Sequence, residues 1–324
     1  MKILITGGAG YIGSTVAWMF VDKGHKVTII DNLSRGNLSN LPKKCKFIKS
    51  DIANIKLLKK SLKDNFYDVV LHFAAYTDNK ESVSKKKLYL NNNYKKSQIF
   101  LRICVDKGIK NFIFSSSAAV YGLSNIKVNE NLKPKPLAPY GKSKLNFEIF
   151  LEKFKNKVNF VIIRYFNVVG VEKKMRCGFG KYNKSLFYNL CQSYIKNNAF
   201  YIFGKDFNTK DGTAIRDYLY VSDLAKVHYK FAKFINRRKL KLVVNCGYGK
   251  GYSVLEVLNK FNSLLKNKIN YYYKNRRKNE MGYSCANTKK LKKFHNFKNT
   301  KNKLSLMIRS SLIWYKQNLN RIEK

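Results

Sequence analysis

Lys2-Ile3-Leu4-Ile5-Thr6-Gly7-Gly8-Ala9-Gly10-Tyr11-Ile12-Gly13 is the stretch that decides the fold of this chain. Its first half is a short apolar run with β-branched residues, the pattern of a parallel strand buried on both faces. The run passes directly into glycines at 7, 10 and 13, and a helical pattern follows through Val16, Ala17 and Phe20. Glycine adopts backbone angles closed to other residues and lets phosphate oxygens approach the amides at a helix N-terminus. Gly7, Gly10, Tyr11, Ile12 and Gly13 therefore read as a pyrophosphate cradle. A second apolar run, 27–30, ends at Asp31. A carboxylate there accepts from adenosine ribose hydroxyls and repels a 2′-phosphate, which favours NAD over NADP.

Outward from this unit, strand and helix signals alternate. Strands are expected at 45–49, 67–72, 111–115 and 158–164, and helices at 53–64, 85–107 and 141–156. Such alternation implies an α/β fold with a doubly wound, Rossmann-type parallel sheet and helices on both faces. Ligands of these sheets bind beyond the carboxyl ends of the strands. Gly7, Asp31, Asp51, Phe73, Ala74, Ser115, Ser117, Tyr165 and Asn167 all fall at strand ends. After Gly170 the pattern loosens: a loop at 178–182, a helix at 184–197, a strand at 199–203, turns over 204–212, a strand at 242–245 and an amphipathic helix at 304–318. The expected division is a nucleotide-binding domain over 1–168 and a smaller C-terminal α/β substrate lobe over 169–324, with a segment near 214–246 packing back onto the first.

Tyr140 and Lys144 are four residues apart, a spacing that places both on one face of a helix. An ammonium beside a phenol favours the phenolate and lowers the tyrosine pKa towards neutrality. Such a tyrosine can take a proton from an alcohol while a hydride leaves the same carbon, and the Ser117 hydroxyl can relay that proton.

Composition narrows the partners. The chain has 324 residues and a formal net charge of +46. That charge attracts polyanions at low salt, yet the lysines are spread along the chain as far as Lys324 without a single patch, basic tail or nucleic-acid-binding motif. No dedicated nucleic-acid or membrane partner is expected. Six scattered cysteines without Cys-x-x-Cys spacing fit reduced thiols and a cytoplasmic location, and the four histidines form no metal-ligand pattern, so no metal is expected.

Taken together, the motifs resemble the extended short-chain dehydrogenase/reductase family, and within it the UDP-galactose (UDP-glucose) 4-epimerases, over nearly the full length. The landmarks are the glycine-rich stretch, Asp31-Asn32, Asp51-Ile52, 72–75, 81–83, 115–122, 139–144, 164–167, 211–218, 221–225, Arg276-Arg277 and 314–318. The resemblance implies NAD-dependent 4-epimerisation of a UDP-sugar through a 4-keto intermediate. Tyr140 would be the base, assisted by Ser117 and Lys144. Asp31, Asn32, Asp51, Ile52, Phe73, Ala74, Asn93, Ser115, Lys144 and Tyr165 would join the cradle in holding NAD. Asn167, Asn183, Ser185, Arg216 and Arg277 would hold the nucleotide, since guanidinium forks suit phosphate oxygens. It also implies a homodimer through the helices around 85–107 and 141–156, with Phe147, Phe150, Leu151 and Phe154 as the apolar stripe.

Related activities differ at Ser117. Sugar 4,6-dehydratases resemble this chain but carry an acid pair just after that hydroxyl, where Ala118-Ala119 stand here. Other nucleotide-sugar epimerases on the scaffold and a non-catalytic NAD- or RNA-binding protein are the alternatives. The chain departs from the pattern at Thr77, in place of a lysine, at Lys95-Lys96, at Asn279-Glu280, and at Ser185 in place of an asparagine. Counted from Arg277, Ser284 falls at a pocket-wall position that is aromatic in epimerases restricted to glucose and galactose. A small residue there makes room for a C2 acetamido group, unless Tyr283 is the true equivalent.

Overall fold

The structure, a computed structural model, describes residues 1–62, 66–277, 280–297 and 302–323. The apolar runs form strands β1 (Lys2–Thr6), β2 (Lys26–Asp31), β3 (Lys46–Lys49), β4 (Val69–His72), β5 (Asn111–Ser117) and β6 (Asn159–Tyr165). They are followed by β7 (Asn167–Val169), β8 (Phe200–Phe203), β9 (Ile215–Tyr220), β10 (Lys241–Cys246), β11 (Gly251–Ser253), β12 (Tyr271–Lys274) and β13 (Tyr283–Ser284). Helices α1 (Tyr11–Asp22), α2 (Ile55–Ser61), α3 (Asn79–Ser84), α4 (Lys86–Leu90), α5 (Lys96–Asp106) and α6 (Pro139–Glu152) connect the first six strands. The expected helix at 53–64 is shorter than its pattern, and its positions 63–64 lie outside the described residues.

Two units divide the chain. The first comprises Met1–Val120, Pro134–Arg164 and Ala225–Val244; the second comprises Tyr121–Lys133, Tyr165–Leu224 and Asn245–Lys324. The chain thus crosses between the units several times: Ala225–Val244, within the segment expected near 214–246, belongs to the first unit, and Tyr121–Lys133 belongs to the second. The first unit is built on a seven-stranded sheet in the order β10-β6-β5-β4-β1-β2-β3. β1 pairs in parallel with both β2 and β4, so the strand order reverses beside β1. A dinucleotide crevice opens at such a switch point.

Leu4, Ile30, Val70, Phe112, Phe114 and Ile162 supply the sheet side of one core cluster, and Phe100, Leu101, Phe147 and Leu151 the helix side. Phe147, Phe150 and Leu151 are buried there and Phe154 packs against them. The Phe114 and Phe147 rings lie 4.6 Å apart. The stripe expected to meet a partner therefore faces its own sheet, because the pattern that marks an apolar helix face is the same for both.

The expected continuous helix over 85–107 is also corrected. It is split into α4 and α5 by a widened turn over Asn91–Lys95, and α3 precedes it. Widened turns of this kind occur mostly at functional sites. Here the extra residue lets the buried Asn93 face inwards: its Oδ1 accepts from Tyr76 N at 2.8 Å, and its Nδ2 donates to Tyr76 O at 2.9 Å.

In the second unit, β9 pairs with β11, β13 and β7, and β8 pairs with β12. Helices Leu186–Ile195 and Lys303–Gln317 pack in this unit, with Tyr188 and Tyr315 edge to face at 5.5 Å. Among the described residues no helix is long and apolar enough to cross a membrane.

Candidate active site

At the head of the first unit, Gly7 has φ 69°, and a Cβ on it would come within 2.5 Å of Ala74 N. A Cβ on Gly13 would come within 2.3 Å of Gly7 O. Only glycine at these two positions lets the turn pack against the backbone after β4 and α1 pack against the turn. No side chain caps the first turn of α1, which begins at Tyr11 after Gly10. The cradle fits a pyrophosphate.

Asp31 fastens the cradle. Its Oδ2 accepts from Ala9 N at 3.0 Å and its Oδ1 from Leu33 N at 2.8 Å. Burial raises its pKa, and those two N–H bonds act against the rise. A carboxylate has about four acceptor positions, so two remain for ribose hydroxyls. Asn32 donates to Asp51 Oδ2 at 3.3 Å, and Lys96 donates to the same oxygen at 2.5 Å. Ile52 is buried beside them in sequence, and the Phe73 ring lies 4.9 Å from that of His228.

Below the cradle sits a buried histidine that the sequence reading left without a role. Thr6 Oγ1 and His72 Nδ1 are 2.6 Å apart, and His72 Nε2 and Ser97 Oγ are 2.9 Å apart. Phe100, Phe112, Phe114 and Phe147 surround its ring. Burial, helped by the charge of Lys144, lowers its pKa to about 3, so it is a neutral spacer under the glycine turn.

The catalytic candidates come from the end of β5 and the start of α6. Pro139 opens α6, and Gly141 lets the helix touch the backbone after β5: a Cβ there would lie 2.4 Å from Ala119 O. Tyr140 is buried at the second position of α6, and Ser117 closes β5. Burial raises the Tyr140 phenol above the ordinary value, and the Ser117 hydroxyl acts against this. The expectation of a phenol lowered by Lys144 is thereby corrected. Lys144 Nζ instead donates to Ser115 O at 2.7 Å and lies 4.9 Å from the centroid of the Phe114 ring. Burial lowers its ammonium to about 7, with the Glu148 carboxylate one turn later acting against the fall.

Glu148 belongs to a buried network. It accepts from Arg164 Nη2 at 2.6 Å and from Arg164 Nε at 3.1 and 3.2 Å, and it also accepts from the Ser116 hydroxyl. Asn93 Nδ2 reaches Ser143 Oγ at 3.1 Å, and Ser143 Oγ donates to Tyr140 O at 2.7 Å. Two polar chains therefore hold the catalytic helix in register.

The second unit carries the other candidates. Tyr165 is buried and Asn167 is exposed at the start of β7. Asn183 Oδ1 accepts from Ser185 N, and Ser185 Oγ caps the helix Leu186–Ile195 by accepting from Tyr188 N. Arg216 Nη1 donates to Ile215 O at 2.9 Å, and its Nη2 lies 3.7 Å from Glu280 Oε1. Burial lowers the Arg216 pKa. The Arg277 guanidinium stacks over Phe203 at 3.9 Å. Asp217, unrecognised in the sequence, accepts from the backbone N–H groups of Tyr248, Gly249 and Ala286, and so anchors the segment just after Ser284. Asn279 lies outside the described residues.

The glycine cradle, the carboxylates after β2 and β3, and the Ser-Tyr-Lys set after β5 define a dinucleotide-binding enzyme built for proton and hydride transfer. The sequence profile of the NAD dependent epimerase/dehydratase family matches residues 3–247, and the chain belongs to that family. The chain is 35% identical over 318 residues to the UDP-glucose 4-epimerase of Azospirillum brasilense, spanning 97% of this chain and 91% of that one. It superposes with a TM-score of 0.93 on the UDP-glucose 4-epimerase of Stenotrophomonas maltophila with bound NAD and formylated UDP-arabinopyranose, at 29% identity and 99% coverage of both chains. The enzyme of Bifidobacterium longum in complex with NAD+ and UDP gives 0.89, at 30% identity and again 99% of each chain.

Proposed function

We propose that this chain is an NAD-dependent 4-epimerase of UDP-hexoses that interconverts UDP-glucose and UDP-galactose through a 4-keto sugar. The observation that carries this reading is that Ser117 at the end of β5 and the buried Tyr140 at the head of α6 stand in the same unit as the glycine cradle. Gly7, Gly10, Tyr11, Ile12, Gly13, Asp31, Asn32, Asp51, Ile52, Phe73, Ala74, Asn93, Ser115, Lys144 and Tyr165 hold the dinucleotide. Bound NAD supplies the hydride acceptor, the hydride returned later, and a positive ring charge that favours the phenolate.

Tyr140 accepts the proton of the sugar 4-hydroxyl as the hydride leaves C4, with the Ser117 hydroxyl as relay. Lys144 contributes charge from one turn along the helix. Asn167, Asn183, Ser185, Arg216 and Arg277 retain the nucleotide while the 4-keto hexose turns over. Tyr140 then returns its proton to the oxygen as C4 is reduced on its other face. Residue 117 is followed by Ala118-Ala119, so no acid stands beside it to eliminate water. Incubation with UDP-galactose, followed by proton NMR, tests the reading: the wild type reaches an equilibrium mixture with UDP-glucose and Tyr140→Phe does not. A wild type that leaves UDP-galactose unchanged with NAD bound would refute it.

The N-acetylated sugar pair is a second substrate class on this reading. Ser284 pairs with Arg216 in the parallel β13–β9 register, and Tyr283 pairs with Ile215. Paired residues of neighbouring strands share a face, so Ser284 lies on the face of Arg216. Tyr283, the preceding residue, belongs to the opposite face, that of Ile215. The small residue is therefore the one that belongs to the nucleotide side, which supports Ser284 over Tyr283 as the wall.

The enzyme works as a homodimer in the cytoplasm on this account. Val83 on α3, Leu88 on α4 and Ile149 on α6 are the exposed aliphatic residues of those helices, and they replace the buried stripe as the candidate partner surface. All six cysteines are free thiols, as a reducing compartment would keep them.

A further inference from the structure

Arg35 follows β2 and Glu81 lies in α3, after β4; these two strands flank β1 and its glycine turn. A bond between the two residues therefore joins opposite banks of the crevice that opens beyond β1. Arg35 Nη2 donates to Glu81 Oε2 at 2.5 Å. Both partners are held from other directions as well. The guanidinium lies 4.1 Å from the centroid of the Tyr76 ring, and the Tyr76 backbone is clasped on both sides by the Asn93 amide. Glu81 also accepts from the Tyr89 hydroxyl at 2.8 Å and from Lys85 Nζ at 3.2 Å. Tyr89 Oη in turn accepts from Asp78 N at 3.1 Å.

The loop that carries Arg35 is itself set in place. Leu33 stands at φ 59°, a backbone conformation rare for a branched side chain. Asp31 Oδ1 fixes it by accepting from Leu33 N, and Asn32 Oδ1 accepts from Ser34 N at 3.0 Å. Burial would raise the Glu81 carboxyl, but hydrogen bonds from Arg35, Tyr89 and Lys85 outweigh it and hold the pKa at about 2. The ion pair thus persists throughout the working pH range. An isolated surface pair adds little; a planar fork stacked on an aromatic ring and bonded to a carboxylate with three donors is far better defined.

We propose that the Arg35–Glu81 bridge is a strap that retains the dinucleotide in its crevice, so that this pair sets the rate of cofactor loss. The proposal rests on the reading of the cradle as an NAD site. An epimerisation that returns its hydride to the sugar has no net oxidation, so turnover never requires the cofactor to leave. A strap can then slow exchange without slowing the reaction. Arg35 and Glu81 act as positioning residues: neither takes part in proton transfer, and Asn93 and Ser143 connect their bank to the backbone of Tyr140.

The test is the release of NAD from purified holoenzyme, with released NAD reduced at once by an excess of a coupling dehydrogenase and followed at 340 nm. Glu81→Gln and Arg35→Met are each expected to speed release roughly tenfold to a hundredfold, the range for losing a charge-assisted hydrogen bond. The double variant should be no faster than the faster single one, because both changes open the same bridge. Turnover at saturating NAD should stay within about twofold of wild type. Release within about twofold of wild type in both single variants would overturn the strap, as would single effects that multiply in the double variant. A wild type that retains no NAD at all would overturn the cofactor reading itself, and the two failures are distinguishable.

Discussion

Replacing Lys144 with Met should reverse its effect on stability between acid and base. The folded ammonium titrates near 7, against 10.5 for the ordinary group. Each unit is worth about 1.4 kcal/mol, so the buried charge weighs against folding by about 5 kcal/mol below pH 7. Between those two values the unfolded chain binds more protons than the folded one, and wild-type stability rises with pH. Met carries no proton and lacks this slope. Its insertion leaves the Ser115 carbonyl without the Lys144 donor, at a cost of about 1–3 kcal/mol. Lys144→Met is therefore expected to be more stable than wild type by about 2–4 kcal/mol at pH 6 and less stable by about 1–3 kcal/mol above pH 10.5. Urea denaturation of cofactor-stripped protein at several pH values measures the difference directly, since the +46 background is common to both chains apart from this one charge. A difference that does not change with pH, or a less stable variant at pH 6, would refute the reasoning. Catalysis should fall even where stability rises, because the variant lacks the ammonium that the proposed mechanism places one turn along the helix from Tyr140.

Glu148→Gln removes the carboxylate paired with the buried Arg164 guanidinium, and should cost about 3–5 kcal/mol in the same urea assay. The Lys144 ammonium also loses the carboxylate that holds its pKa up, so the pH profile of turnover should shift to lower pH. His72 titrates near 3 when folded and near 6.5 when unfolded; the stability it contributes is present above pH 6.5 and is lost as pH falls towards 3, by up to about 1.4 kcal/mol per unit. His72→Gln should flatten that acid limb in thermal melts. Tyr140→Phe should keep NAD bound while turnover drops about 10²–10⁴-fold, as measured by UDP-galactose NMR. Ser284→Tyr should suppress reaction of UDP-N-acetylgalactosamine while sparing UDP-galactose; loss of both in equal measure would contradict the wall assignment.

What could be read from the chain depended on how local each feature is. β1, the glycine turn and Asp31 were legible because a strand, a tight turn and a helix follow one another within about thirty residues, each with its own chemistry. Ser117 and Tyr140 were legible because β5 and α6 present them at element ends. The break at Asn91–Lys95 was not, since Asn93 is drawn inwards by the Tyr76 backbone seventeen residues away. The Arg35–Glu81 pair spans forty-six positions and leaves no periodic trace. Lys144 shared a helix face with Tyr140 as its spacing required, but only the folded chain shows the Ser115 carbonyl that receives its ammonium. The stripe from Phe147 to Phe154 was a true apolar face, and a one-dimensional pattern cannot say whether a sheet or a second subunit covers it.

The central claim is that one hydrogen leaves C4 and the same hydrogen returns to it. UDP-galactose carrying deuterium at C4 tests this most directly, with the product UDP-glucose examined by mass spectrometry and NMR. Deuterium retained at C4 through many turnovers in ordinary water is the predicted result. Product that carries solvent hydrogen at C4 would contradict the account.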